Sequence, residues 1–178
     1  MEKTISTKFI YKGKVINVRV DDVELKNGTL SKREVVEHPG AAAVLAVARD
    51  GNVLFVRQFR KAVEKELLEI PAGKLDPGET PAACATRELA EETGMAAGNL
   101  RKIASFYSSP GFASEKLHIF LATELYPGEV AKPVADELLQ VQKIPFQEAL
   151  TMARNGVIED GKTLVALLLA GDLPDLAI

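Results

Sequence analysis

One cysteine, two histidines and no excess of basic residues narrow the chemistry open to this chain before any motif is read. A single thiol, Cys84, makes no internal disulfide, and the CxxC spacings of zinc or redox sites are absent. Cys84 sits among alanines in a helical stretch and reads as a small buried hydrophobe rather than a nucleophile. His38 and His118 are widely separated and form no metal-ligand pattern, so both read as structural. Lys and Arg number 22 against 25 Asp and Glu, a net charge of -3 that argues against a broad nucleic-acid or anionic-membrane surface. A small anionic substrate is not excluded, since it needs only a few well-placed cations. The longest apolar run, LVALLLAG from Leu164, falls far short of the ~20 residues that span a bilayer. MEKTISTKFIYKGK at the start lacks the apolar segment of a secretory signal. A soluble, cytoplasmic protein is expected.

What remains is ordinary globular material: 178 residues, 47% hydrophobic and 26% charged, enough for one domain with a small attachment. There is no internal repeat and no low-complexity linker. Residues 9 to 37 read as strands, with Ile16, Val18 and Val20 on alternate positions and a hairpin signal at Asn27-Gly28. Pro39-Gly40 marks a boundary, giving residues 1–39 as a small N-terminal β-sheet and 40–178 as the main domain. AAAVLAVA and NVLFVRQF read as strands joined by Asp50-Gly51, and ELLEIPAG as a short strand ending in a turn. Thr80 has the character of an N-cap, Pro81 of a first helical residue and Gly94 of a stop. RKIASFYSS, KLHIFLATEL and ELLQVQKI read as strands, PFQEALTMARNG as a helix opened by Pro145, and KTLVALLLAG as a last apolar helix. The mixture predicts α+β, or an α/β/α sandwich around a mixed sheet.

The helix between Thr80 and Gly94 breaks local rules in one direction. Glu88 and Glu92 lie one turn apart on one face with Glu91 beside them, while Leu89, Ala85 and Ala82 take the opposite, apolar face. An i,i+4 Glu pair costs roughly 0.2–0.5 kcal/mol in an isolated helix. No Lys or Arg stands four residues from either partner; Arg87 reaches only Glu91. The acids also crowd the C-terminal half, where the helix dipole disfavours them. Such an edge asks for a cation, and carboxylate oxygens suit hard divalent ions such as Mg²⁺ or Mn²⁺. Metal-assisted attack by water on a phosphate compound follows as the expected chemistry.

The spacing over GKLDPGETPAACATRELAEETGM, Gly73 to Met95, resembles the Nudix box of the Nudix hydrolases at every defined position. The resemblance implies that Glu88, Glu91 and Glu92 hold divalent metal, with Glu91 and Glu92 also counted as catalytic. It implies that Glu79 and Arg87 form an ion pair shaping the box, with Gly73 and Gly94 structural. Outside the box, SSPGFASEK, VRQFR, LLEIPAGK and KREVVEHPGAA are similar to the ADP-ribose pyrophosphatase subgroup. That likeness implies hydrolysis of ADP-ribose to AMP and ribose 5-phosphate. Ala72 would offer its carbonyl to the metal, Arg60 would bind substrate, and Pro110 and Gly111 would sit in a substrate loop. Arg33 would be donated from the N-terminal sheet of a partner in a homodimer. Glu137 aligns with the subgroup's water-activating glutamate, with Asp136 as the alternative, and Glu115 is a weaker candidate for a supporting role. Other nucleoside diphosphate derivatives (another sugar nucleotide, NADH, a dinucleoside polyphosphate, an oxidised dNTP) stand as alternative substrates. A non-catalytic sugar-nucleotide sensor is disfavoured by the intact box and the lack of a spare module.

GVIEDGKT, Gly156 to Thr163, also matches the P-loop pattern GxxxxGK[ST]. Its context is wrong. The preceding QEALTMARN reads as a helix rather than a buried strand, and Glu159 and Asp160 would put negative charge where phosphate should lie. Lys162 and Thr163 are expected instead to open the last helix.

Overall fold

The computed structural model describes residues 2–128 and 140–173. It divides into two compact units, Met1–Gly40 with Phe106–Leu117, and Ala41–Ser105 with His118–Ile178.

In the first unit β1 (Lys3–Lys12), β2 (Asn17–Glu24) and β3 (Leu30–Glu37) form an antiparallel sheet in that order. Asn27-Gly28 makes the β2–β3 turn: Gly28 takes φ 81°, and Leu25 N–H donates to the Thr29 carbonyl at 2.9 Å. The sheet starts at Lys3, six residues earlier than periodicity suggests. All ten residues of β1 are exposed, so nothing in this chain forces an in-out alternation on it. The Ser108–Glu115 segment joins the same unit at β3. Val36 N–H donates to the Phe112 carbonyl at 2.8 Å, and Ser114 N–H to the Val36 carbonyl at 2.9 Å.

The second unit is built on a sheet of seven strands: β4 (Ala41–Val47), β5 (Asn52–Arg60), β6 (Lys65–Glu69), β7 (Ala72–Lys74), β8 (Met95–Tyr107), β9 (Lys116–Pro127) and β10 (Gln140–Pro145). Their order is β10-β5-β4-β9-β8, with β6 paired to β5 and β7 to β4. AAAVLAV is buried along its whole length, as a continuous apolar run in a central strand should be. Alternate residues serve opposite faces. Ala42, Val44 and Ala46 pack with Cys84, Ala85 and Leu89 of α1 (Pro81–Thr93). The other helices, α2 (Phe146–Arg154) and α3 (Gly161–Gly171), pack on each other and on β5 and β4. The result is the expected α+β sandwich, with helices against a mixed sheet and a small antiparallel sheet before it.

The termini of α1 follow their sequence signals. Thr80 accepts from Ala83 N–H at 3.2 Å, and Gly94 closes the helix at φ 70° while donating to the Ala90 carbonyl. One side chain is misplaced by the periodicity argument. Ala82 is exposed in the first turn, and the core stripe instead begins at Cys84 and runs through Ala85 and Leu89. Among the described residues no helix is long and apolar enough to cross a membrane.

Candidate active site

The site grows from the contact of β7 with α1. β7 pairs with the start of β4, Gly73 opposite Ala42 and Ala72 opposite Ala43, so it lies on the strand that α1 also covers. Small residues on β4 let the helix approach closely. A Cβ on Gly73 would stand 1.8 Å from Glu88 Oε1 and 2.1 Å from Glu88 Cδ. Only glycine leaves that carboxylate its place. One turn on, Glu92 Oε2 accepts from Ala72 N–H at 3.0 Å. Both members of the i,i+4 pair are thus turned against the backbone of one three-residue strand.

Arg87 holds the other side of the box together. Its Nε and Nη2 donate to the two oxygens of Glu79, each at 2.9 Å, and Nη1 donates to Glu88 and, at 3.0 Å, to Glu91. Nη2 also reaches the Lys74 carbonyl at 3.3 Å. The bidentate Glu79 bond ties the Gly73–Glu79 loop to the helix. Glu79 in turn accepts from Asp76 N–H at 3.0 Å, which shapes the loop from inside. The Arg87 hydrogen bonds hold the Glu79 carboxyl down at about 2, and the three surrounding carboxylates push Arg87 above its ordinary value.

Cys84 is fully buried under this corner, its thiol directed to the Gly73 and Lys74 carbonyls at 3.5 and 3.4 Å. Burial first, then the charges of Glu79 and Glu88, push it up to about 12. It stays protonated at neutral pH and is no nucleophile.

The donor set at this edge is all oxygen, with Glu88, Glu91 and Glu92 within one turn and the Ala72 backbone beside Glu92, and hard divalent cations prefer such sets. Here Arg87 shares Glu88 and Glu91, and among the described residues no three His, Cys, Asp or Glu side chains are gathered on one point. The chemistry of the donors fits a hard divalent ion.

The remaining expected residues fall in three places. Arg60, at the end of β5, donates through Nε and Nη2 to the two oxygens of Glu69, each at 2.6 Å, and lies within electrostatic reach of Glu92. Arg33, Pro110 and Gly111 belong to the first unit. Arg33 forms a two-pronged bond to Glu2 and a 3.0 Å bond to Ser31 Oγ. Pro110 and Gly111 are the exposed middle of a turn closed by Phe112 N–H to the Ser109 carbonyl at 3.1 Å. Glu115 sits 3.6 Å from Nδ1 of His38, which accepts from Gly40 N–H. His118 Nδ1 meets Ser105 Oγ at 2.7 Å. Glu137 and Asp136 lie outside the described residues.

The P-loop match is a helix cap. α2 precedes it, and Asp160 Oδ2 accepts from both the amide and the hydroxyl of Thr163, so a carboxylate of the chain fills the position a phosphate would take. Sequence reasoning missed Glu69, which is 1% exposed and bound by Arg60 and Lys162. The signal was present: a glutamate between Leu68 and Ile70 in an apolar strand must bury its charge or break the strand.

Comparison with known proteins agrees with this geometry. A NUDIX domain model matches residues 36–167, and a nucleoside diphosphate sugar hydrolase N-terminal domain model matches residues 2–36. The chain belongs to the Nudix hydrolase family. It is 50% identical over 167 residues to an ADP-ribose pyrophosphatase of Bacillus subtilis (strain 168), spanning 93% of this chain and 90% of that one. It is 45% identical, with the same coverage, to a methanol dehydrogenase activator of Bacillus methanolicus. A GDP-mannose pyrophosphatase of Enterobacter sp. (strain 638) is 37% identical, with 82% of each chain covered. A solved structure of an ADP compounds hydrolase shares the fold at TM-score 0.83 and 24% identity, covering 96% of this chain and 92% of its own.

The Glu79–Arg87 pair has a pH signature. The Glu79 pKa is depressed in the folded state, so the stability it contributes is complete above its unfolded value near 4.5 and is lost as pH falls towards about 2. Glu79→Gln is expected to destabilise the fold by about 1–3 kcal/mol at neutral pH. Urea denaturation across the acid range should show the gap to wild type closing between pH 4.5 and 2. A gap constant with pH would remove the ionic part of this interaction.

Proposed function

We propose that the chain is a divalent-metal-dependent pyrophosphatase that hydrolyses ADP-ribose to AMP and ribose 5-phosphate. The observation that carries the substrate is 50% identity across 93% of the chain to an ADP-ribose pyrophosphatase. The turning of Glu88 and Glu92 onto β7 supports the placing of metal there.

Glu88, Glu91, Glu92 and the Ala72 carbonyl would hold the ion, Mg²⁺ with Mn²⁺ as the other candidate. When bound it would neutralise charge on the pyrophosphate oxygens and on the departing phosphate. Gly73 provides the space in which Glu88 lies, and Arg87 keeps the loop and helix in register. Arg60 and Arg33 would donate to phosphate oxygens, a task suited to the guanidinium fork. Pro110 and Gly111 would line the substrate from their turn. Glu137, or Asp136 in its place, would take the proton of the attacking water. The water oxygen bonds to one phosphorus, the bridging P–O bond breaks, and the leaving phosphate keeps the electron pair. The protein would act in the cytoplasm as a homodimer through the N-terminal sheet, and the exposed Ile5, Phe9, Ile10 and Tyr11 of β1 support an interface there. Hydrolysis of a different nucleoside diphosphate sugar is the second reading, favoured by the GDP-mannose pyrophosphatase relatives.

An assay in Mg²⁺ over ADP-ribose, GDP-mannose, NADH, dinucleoside polyphosphates and oxidised dNTPs decides the substrate. ADP-ribose is expected to lead in kcat/KM, and a lead by any other compound would reassign it. Glu92→Gln should lower kcat about 100-fold or more with the fold intact by circular dichroism. Gly73→Ala should displace the Glu88 carboxylate and weaken Mn²⁺ binding about tenfold, measured by calorimetry, with little change in melting temperature. Near-normal turnover in the first variant, or unchanged Mn²⁺ affinity in the second, would remove the metal from this edge. Arg33→Ala is expected to raise KM about tenfold with kcat nearly unchanged, in a protein that remains a dimer by light scattering. A wild-type monomer, or an unmoved KM, would count against a shared site.

A further inference from the structure

Glu69 is a buried carboxylate with two cations for partners, and the two are not equivalent. Arg60 is 40% exposed at its side chain; Lys162 is 11% exposed, and Glu69 itself only 1%. Lys162 donates to Glu69 and, at 3.0 Å, to Asp160. Asp160 is committed in turn to the cap of α3 through Thr163. The Thr163 hydroxyl oxygen then accepts from Ile70 N–H at 2.9 Å, so the same few residues grip the backbone next to Glu69. Lys162 is thus held on the buried side of Glu69 by a second carboxylate, Asp160. Arg60, at the end of β5 and within electrostatic reach of Glu92, is the more exposed of the two cations and has no such hydrogen bond to Asp160 among the described residues.

We propose that Lys162 is a positioning residue for the pyrophosphatase reaction: by neutralising Glu69 from the buried side, it leaves the Arg60 guanidinium available to the substrate's phosphates. This rests on the substrate reading above and on Arg60 binding there. A carboxylate buried to this depth needs a cation at all times, because an unpaired charge in the interior is strongly disfavoured. With Lys162 in place, a phosphate that draws Arg60 away leaves Glu69 still paired. Without Lys162, Arg60 is the sole counter-charge, and every phosphate contact must compete with Glu69 for it. The loss falls on ground-state binding, so KM and Kd carry it and kcat does not.

The test is Lys162→Met, which keeps the aliphatic length and removes the charge. ADP-ribose should bind about tenfold more weakly, both as KM in Mg²⁺ and as Kd by calorimetry in EDTA, with kcat within about threefold of wild type. Adding Glu69→Gln should restore KM and Kd, because the carboxylate that captures Arg60 is gone; a merely structural role for Lys162 would not be rescued this way. Should K162M fail to fold, E69Q and K162M/E69Q carry the test and should share one KM. An unchanged KM in folded K162M, no rescue in the double variant, or a tenfold difference between that last pair would overturn the proposal. Wild type that turns over ADP-ribose while K162M behaves normally sinks this proposal alone. Wild type that neither binds nor hydrolyses ADP-ribose sinks the substrate reading and this proposal with it.

Discussion

The Arg87 guanidinium stands between Glu79, Glu88 and Glu91, and the shape of the box depends on it. Its five donors lie in one plane, so it can hold a loop carboxylate bidentately while still reaching two helix carboxylates. A lysine could supply the charge at one point only. The two-pronged bond to Glu79 carries the loop onto the helix, and the loop then delivers β7 to the helix edge. Glu79, Glu88 and Glu91 share this guanidinium, while Glu92 accepts from the Ala72 N–H. Negative charge is therefore gathered along one helix edge, at Glu88, Glu91 and Glu92. Under the function proposed above, the edge that Arg87 partly neutralises would be the one to attract a divalent ion.

Close packing makes that charge usable. Alanines on β4 place α1 near the sheet, and Gly73 on the neighbouring strand leaves room for Glu88 where any side chain would meet it. Glu92 accepts from a backbone N–H of β7, so its position is tied to the sheet. On the far side of the β6–β7 turn, Glu69, Ile70 and the Pro71 carbonyl are held by Lys162, Thr163 and Val44 in succession. Three consecutive residues leading into β7 each have a fixed partner, which is what a short strand needs if its backbone is to stay in a constant place.

Much of this was legible in the chain because it is local. Thr80, Pro81 and Gly94 mark helix ends by their own conformational preferences, and a period of 3.6 puts Glu88 and Glu92 together. Local rules failed where tertiary structure decides. The strand at Lys3 shows no alternation because no face of β1 is buried. Ala82 is exposed, not buried as expected, because the core reaches only part of the helix. The Lys162–Glu69 pair spans 93 residues of sequence, and no window could contain it. GVIEDGKT matched a phosphate loop as letters; the fold supplied a cap, since Asp160 answers the free N–H groups first.

The division of the chain into two units bears on how substrate range changes within the family. Glu88, Glu91, Glu92, Ala72 and Arg60 all belong to the second unit, and the first contains Arg33 and the Ser109–Phe112 turn. β3 and that turn are bonded to each other through Val36, so Arg33 and Pro110-Gly111 are carried on one body. Carboxylates that must match an ion tolerate little change, because donor type and spacing are set by the cation. Residues that meet a nucleoside or a sugar can vary with it. If the first unit carries the substrate contacts proposed above, it can vary while Arg87 keeps its carboxylates, because the two sets belong to different units. Relatives that match this chain over most of its length include an ADP-ribose pyrophosphatase, a methanol dehydrogenase activator and a GDP-mannose pyrophosphatase. Under the function proposed above, the box would identify the bond that is cut, and residues outside it would identify what is attached to that bond.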